Sequence, residues 1–158
     1  MRPADHSFKL LVGFDEKVIH FVEALIPRMA GTGGFRRPAS ALGVLRDGKL
    51  VGGMVYTNFD TQAGTVELSC AARDGRWFTR PILYNLFRYA FEGLGCQMVW
   101  NRFSSRDAAL KRMCVAYGFK VHAIERAFGR DEDSIVGTLT VERWRQNGFH
   151  KEHRDGQT

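Results

Sequence analysis

Apolar residues recur along this chain in two rhythms, and the switches between them mark its elements. Phe8 to Val12 is a short apolar run that predicts a first strand. Val18, Phe21, Val22, Leu25, Ile26 and Met29 then recur at helical spacing; Asp15 is placed to cap that helix, and Pro27 to bend or end it. Ala41 to Leu45 and Leu50 to Thr57 are strand-like runs. The dipeptide between them, Asp47-Gly48, tolerates the positive φ angles of a tight hairpin. Thr65 to Ala71 follows across the polar, flexible stretch Asp60 to Gly64, so these strands predict an antiparallel meander.

Beyond the meander the period changes from two to 3.6. Ile82, Leu83, Leu86, Phe87, Ala90, Phe91 and Leu94 line one broad helical stripe, with Pro81 suited to its first turn. Cys96 to Phe103 returns to strand character. Ser105 or Asp107 can cap a helix through Leu110, Met113, Cys114 and Tyr117, which Gly118 ends. Phe119 to Phe128 and Ser134 to Val141 read as two last strands around the charged turn Gly129 to Asp133. The polar tail after Trp144 is expected to fray, from about residue 146. No repeat, low-complexity tract or linker interrupts the order. The expectation is a single α+β domain, a mixed sheet with helices packed on it.

Composition narrows the class. At 158 residues, 44% of them hydrophobic, the chain can bury a real core within one domain. No run approaches the roughly 18 apolar residues of a membrane span, and Met1 to Ser7 is too polar for a signal-peptide core, so a cytoplasmic location and no membrane partner are expected. Cys70, Cys96 and Cys114 are odd in number and widely spaced, which predicts reduced thiols. His6, His20, His122, His150 and His153 form no ligand spacing, so no metal is expected. A net charge of +6 favours an anionic partner. The positive residues are scattered, which makes nucleic acid the weaker choice. Gly31 to Ser40, carrying Arg36-Arg37, reads as a mobile basic loop able to border a substrate site.

Chemistry concentrates at Glu67 to Arg80, ELSCAARDGRWFTR, a strand that runs through a charged, glycine-containing turn into a helix. Such a turn aims backbone N–H groups and the positive end of a helix at one point, an arrangement that suits a pyrophosphate, with Arg73, Arg76 and Arg80 adding cations. Taken alone, the same turn also reads as ordinary solvated surface.

Several ordered stretches decide between these readings. RDGKLVGGMVY, RDGRWFTRPILYNLFRYAFEGLGCQMVW, RDAALKRMCVAYGFK and DSIVGTLTVERW, spread from Leu42 to Trp144, together resemble the GNAT acetyltransferase superfamily, and particularly the ribosomal-protein N-terminal acetyltransferases. The resemblance implies the GNAT fold, acetyl-coenzyme A as cosubstrate, no metal, and a primary amine as acceptor: a protein N-terminus, a lysine or a small amine. One departure stands out. The family's phosphate loop carries two small residues where this chain keeps Gly75 and places Trp77 at the other.

Carried over by position, the resemblance implies that Leu68, Ser69 and Cys70 contact the thioester carbonyl and pantetheine. The N–H groups of Arg76, Trp77, Phe78, Thr79 and Arg80 would grip the phosphates. Glu67 is the candidate base, against ordinary strand decoration. Cys114 stands where many members have a tyrosine acid, against the favoured reading of a small core residue on an apolar helix face. Asp107 stands where an asparagine touches the cofactor arm, and capping its helix is the alternative. Tyr117, Trp100 and Trp144 read as packing; Trp77 reads as packing or as a stacking partner for the cofactor. Two further readings stay open: a GNAT-shaped module that binds without catalysis, and nucleic-acid association through the basic loop. Unprotected edge strands make a homodimer an expectation as well.

Overall fold

The computed structural model describes residues 8–151; His6, His153 and the Met1 to Ser7 stretch lie outside them. Seven strands are present in the described chain: β1 (Lys9–Leu11), β2 (Ser40–Arg46), β3 (Lys49–Asp60), β4 (Thr65–Ala72), β5 (Met98–Ser104), β6 (Lys120–Gly129) and β7 (Glu132–Thr140). They form one sheet in the order β1-β2-β3-β4-β5-β7-β6, antiparallel at every junction except β4 with β5. The helices are α1 (Asp15–Leu25), α2 (Arg80–Arg88), α3 (Ala108–Tyr117) and α4 (Val141–Gln146). The β2–β3 hairpin turns where the sequence places it, with φ of 52° at Asp47 and 74° at Gly48.

Alternation along the strands sorts the residues into two layers. On one face Val18, Ile19 and Val22 of α1 are fully buried against Ala41 and Val55. The helix can sit this low because Gly43 and Gly53 are paired beneath it; a Cβ at Gly53 would lie 2.6 Å from Val18 Cγ1. On the other face α2, α3 and α4 cover Val66, Leu68, Val99, Phe103, Ile135 and Leu139, using Ile82, Leu86, Phe87, Tyr117 and Trp144. The stripe read on α2 extends past the helix through a π-helical turn, Tyr89–Gly93, which keeps Ala90 and Phe91 buried.

Three local expectations are corrected. Asp15 does not cap α1: it lies in the first turn, and its carboxylate accepts a hydrogen bond from the Ala41 N–H at 3.1 Å, tying helix to strand. The basic loop is pinned. Arg37 donates from Nε and Nη2 to the two oxygens of Glu16 at 3.0 and 2.8 Å, and Glu23 accepts the Phe35 N–H at 2.9 Å. The part of the stretch after Trp144 that is described packs through His150, which is 3% exposed, because its aromatic residues outweigh its polar composition, while residues 152–158 of the expected tail lie outside the described residues. His150 Nε2 lies 2.5 Å from the Tyr117 hydroxyl, which also accepts the Trp144 indole N–H at 3.0 Å.

The close seat of α1 is directly testable. Gly53→Ala should cost about 1–3 kcal/mol by overpacking against Val18, read as a lower urea midpoint at unchanged slope. An unchanged midpoint would mean that α1 does not rest on this glycine pair.

Candidate active site

Strands β4 and β5 pair only through Thr65↔Met98, Val66↔Val99 and Glu67↔Trp100. Past Glu67 each strand follows its outer neighbour. β4 stays with β3 as far as Ala72↔Gly52, and β5 stays with β7 as far as Ser104↔Ser134. A wedge opens between them, and their facing backbone groups beyond Glu67 and Trp100 leave the ladder.

A cavity of about 360 Å³ occupies the wedge on the α2 and α3 side. Its wall includes Leu68 and Cys70 from β4, Asn101 from β5, Cys114 from α3 and Phe149 from the final turn. Glu67 and Ser69 point to the opposite, α1 face, because Val66 and Leu68 on either side of Glu67 are buried in the core. The five expected strand residues and thiols are therefore divided: Leu68, Cys70 and Cys114 meet at the cavity, while Glu67 and Ser69 stand across the sheet from it.

Glu67 sits at the apex of the wedge. A bulge in β3 turns Asn58 into the left-handed region, φ 52°, and the Asn58 side-chain amide donates to Glu67 Oε1 at 2.7 Å. That partner is invisible to strand alternation, which assumes an unbroken ladder. Asn101 was also missed. Its Nδ2 donates to Cys114 Sγ at 3.5 Å, and its Oδ1 is buried without a hydrogen-bond partner among the described residues. Only glycine fits opposite it, since a Cβ at Gly137 would lie 2.4 Å from that oxygen.

Burial controls the two cavity thiols. It pushes the Cys114 thiol up, partly opposed by the Asn101 hydrogen bond, and pushes Cys70 up to about 12, with Cys114 nearby adding to the shift. Cys70 keeps some surface exposure, yet protein encloses its sulfur closely enough for desolvation to dominate. A thiol that holds its proton more tightly is a poorer acid toward a coenzyme thiolate. Tyr117 is raised by burial too, and its hydroxyl is engaged by Trp144 and His150, in keeping with packing.

The loop between β4 and α2 is organised by Asp74, which the sequence reading passed over. Its carboxylate accepts from Arg46 Nη1 at 2.6 Å, from the Arg76 N–H at 3.0 Å and from Arg76 Nε at 3.2 Å, while its carbonyl accepts the Trp77 N–H at 3.2 Å. The Arg76 and Trp77 N–H groups thus turn back toward Asp74. Arg73 leaves the loop as well, its guanidinium 5.3 Å above the Phe21 ring on the α1 face. Trp77 is 5% exposed and belongs to the core: it fills the space over Gly52, where a Cβ would lie 2.7 Å from its ring, and stacks on Phe78 with centroids 3.9 Å apart. Phe78 and Arg80 line the cavity, and Arg80 lies 5.6 Å above the Phe149 ring. Thr79 Oγ1 caps α2 through the Ile82 N–H at 3.4 Å; Asp107 caps α3 through the Leu110 N–H at 3.1 Å. Gly75 is exposed, with open space around it. Among the described residues, no three His, Cys, Asp or Glu side chains converge as metal ligands.

No protein-family model matches this sequence, and no curated protein matches it. Solved structures do. A probable acetyltransferase superposes with a TM-score of 0.58 at 20% identity over 67% of this chain. The match spans 64% of that protein's length, just under two thirds. The spermidine/spermine N-acetyltransferase SpeG from Vibrio cholerae superposes with a TM-score of 0.68 at 13% identity, over 87% of this chain and 95% of its own. A dodecameric structure of spermidine N-acetyltransferase from the same organism gives 0.69 at 12% identity, over 87% and 95%. This chain has the fold of those enzymes, the GNAT acyltransferase fold.

Two titrations check the site. The Asp74 carboxyl is held down at about 2 by its hydrogen bonds from the Arg76 N–H, Arg46 and Arg76, against an ordinary 3.8. It therefore stabilises the fold above about pH 4, and that contribution disappears as pH falls through about 2; Asp74→Asn should flatten this part of the acid limb in urea midpoints. The Cys70 shift, from 9.0 to about 12, should make its reaction with a disulfide reagent at pH 8 about a thousandfold slower in the native protein than after unfolding. Equal rates would show an open thiol.

Proposed function

We propose that this chain is an N-acetyltransferase that moves an acetyl group from acetyl-coenzyme A to a primary amine. The observation that carries this reading is the wedge between β4 and β5, with its cavity on one face and Glu67 at its apex on the other. The cavity fits the pantetheine arm. Leu68 and Cys70 form one wall and Asn101 and Cys114 the other, with the backbone of Leu68, Ser69 and Cys70 available on the side that β5 has left. Arg80 at the cavity, the exposed Arg76 side chain and the N-terminal end of α2 are the groups that would meet the phosphates.

Acetyl-coenzyme A supplies an activated thioester. The amine nitrogen attacks the carbonyl carbon, a C–N bond forms, the C–S bond breaks, and the amine gives up a proton. Glu67 takes that proton, directly or through a water, from the face opposite the cavity. Asn58 holds the carboxylate in place as it does so. The departing thiolate recovers a proton from solvent; with an ordinary thiol pKa of about 8.5 it needs no strong acid, so Cys114 contributes shape and its S–H dipole at most. Resemblance to ribosomal-protein N-terminal acetyltransferases supports a protein N-terminus as acceptor, and the spermidine N-acetyltransferases of like fold support a small amine. A cytoplasmic setting and self-association belong to the same reading, the latter supported by the dodecameric Vibrio cholerae neighbour.

A second reading, a module that binds without catalysis, is favoured by one feature: the N–H groups of Arg76 and Trp77 are spent on Asp74. The two readings separate in one series of measurements. Acetyl-coenzyme A at 100 times its Kd should raise the unfolding free energy by about 2.7 kcal/mol. Release of free thiol with an amine panel then reports turnover, which Glu67→Gln should lower by about 10²- to 10⁴-fold. No stabilisation overturns the enzyme; stabilisation with no turnover leaves the binding module; and full activity in Glu67→Gln removes Glu67 from the chemistry.

A further inference from the structure

Helix α1 packs on β2, β3 and β4, and on that face the β5, β7 and β6 half of the sheet projects its side chains beyond the helix. The register shows what stands there. Trp100, aligned with Glu67 across the apex, lies beside Thr138 and then Lys120; the next row on the same face is Arg102, Val136 and His122. Val99 and Phe103 are buried in the opposite layer, which fixes Trp100 and Arg102 on this side. Arg102, Lys120 and His122 are all exposed.

The row stands apart by its position beside the apex. Arg37 pairs with Glu16, Arg46 with Asp74, Arg106 with Glu132, and Arg28 with the Phe128 carbonyl and ring, whereas Arg102 leaves its guanidinium available on this face, as Arg36, Arg112 and Arg130 do elsewhere. Three carboxylates near the face are engaged, Glu67 by Asn58, Glu132 by Ser104 and Arg106, and Asp133 by the Arg126 N–H; Glu125, further along β6, is exposed. Arg102 and Lys120 make no side-chain hydrogen bond or ion pair among the described residues. Two residues along β5 from Trp100 places Arg102 about 7 Å from the apex, within a side chain's reach of an acceptor seated at Glu67.

We infer that the acceptor amine carries an anionic group, a carboxylate or a phosphate, and that Arg102, backed by Lys120 and His122, recognises it. The inference rests on the acetyl-transfer reading and narrows its substrate class. A guanidinium pairs either anion through two parallel N–H donors, whereas a wholly cationic polyamine would meet like charges along this row. Arg102 is thereby a specificity-determining residue, with Glu67 close enough to receive the amine's proton and far enough not to neutralise the anion site.

Matched acceptors test it on the full chain with saturating acetyl-coenzyme A: β-alanine against β-alaninamide for carboxylate, phosphoethanolamine against ethanolamine for phosphate, and spermidine as the cationic control. At least one anionic member should exceed its neutral partner about ten- to hundredfold in kcat/KM, the size of a charge-assisted contact, with the better pair naming the anion. Arg102→Gln should erase that ratio while stabilisation by acetyl-coenzyme A persists. Neutral partners that match the anionic ones, a preference for spermidine, an undiminished ratio in Arg102→Gln, or bound acetyl-coenzyme A with no anionic amine acetylated would each overturn the inference alone. Absence of both acetyl-coenzyme A stabilisation and thiol release would remove the acetyl-transfer reading and this inference with it.

Discussion

The parting of β4 from β5 is the constraint on which everything else depends. A parallel pair inside an otherwise antiparallel sheet has no hairpin to hold its register, so its two strands answer to their outer neighbours. β3 holds β4 and β7 holds β5, and the right-handed twist of each half carries the pair apart after three residues. The opening exists because two well-paired half-sheets share a short seam. It is held by strong ladders on both sides, so it is a rigid feature with no need of a moving part.

Much of this was legible because much of it is local. Asp47-Gly48 turns a hairpin by its own backbone preference, the stripe from Ile82 to Phe87 has one helical period, and Gly118 ends α3 at φ 116°, as a glycine there suggests. Features that depend on partners distant in sequence were hidden. Nothing near Asp74 announces Arg46, 28 residues away, although an Asp-Gly dipeptide in a turn is a known place for a carboxylate to fold back on N–H groups. Asn101 looks like any polar residue on a strand until Gly137 is found opposite it.

The candidate base shows where sequence and structure meet. Alternation through Thr65 to Ala71 leaves the facing of Glu67 undecided, because both of its sides carry partly apolar neighbours. Burial of Val66 and Leu68 decides it, and the bulge that brings in Asn58 supplies a partner that no periodicity contains. Trp77 is the mirror case. It looks like an intrusion into a phosphate loop and proves to be core, admitted by the absence of a side chain at Gly52.

The packing of Phe149 against the cavity has a consequence for the order in which the molecule matures. Leu68, Arg80 and Asn101 leave the ribosome well before Phe149, and the cavity stays open on one side until that residue arrives with His150 to dock under Tyr117. A nascent chain that already displays most of the sheet therefore has no finished pocket. The wall of the cavity is completed late in synthesis, together with the final turn of the described chain.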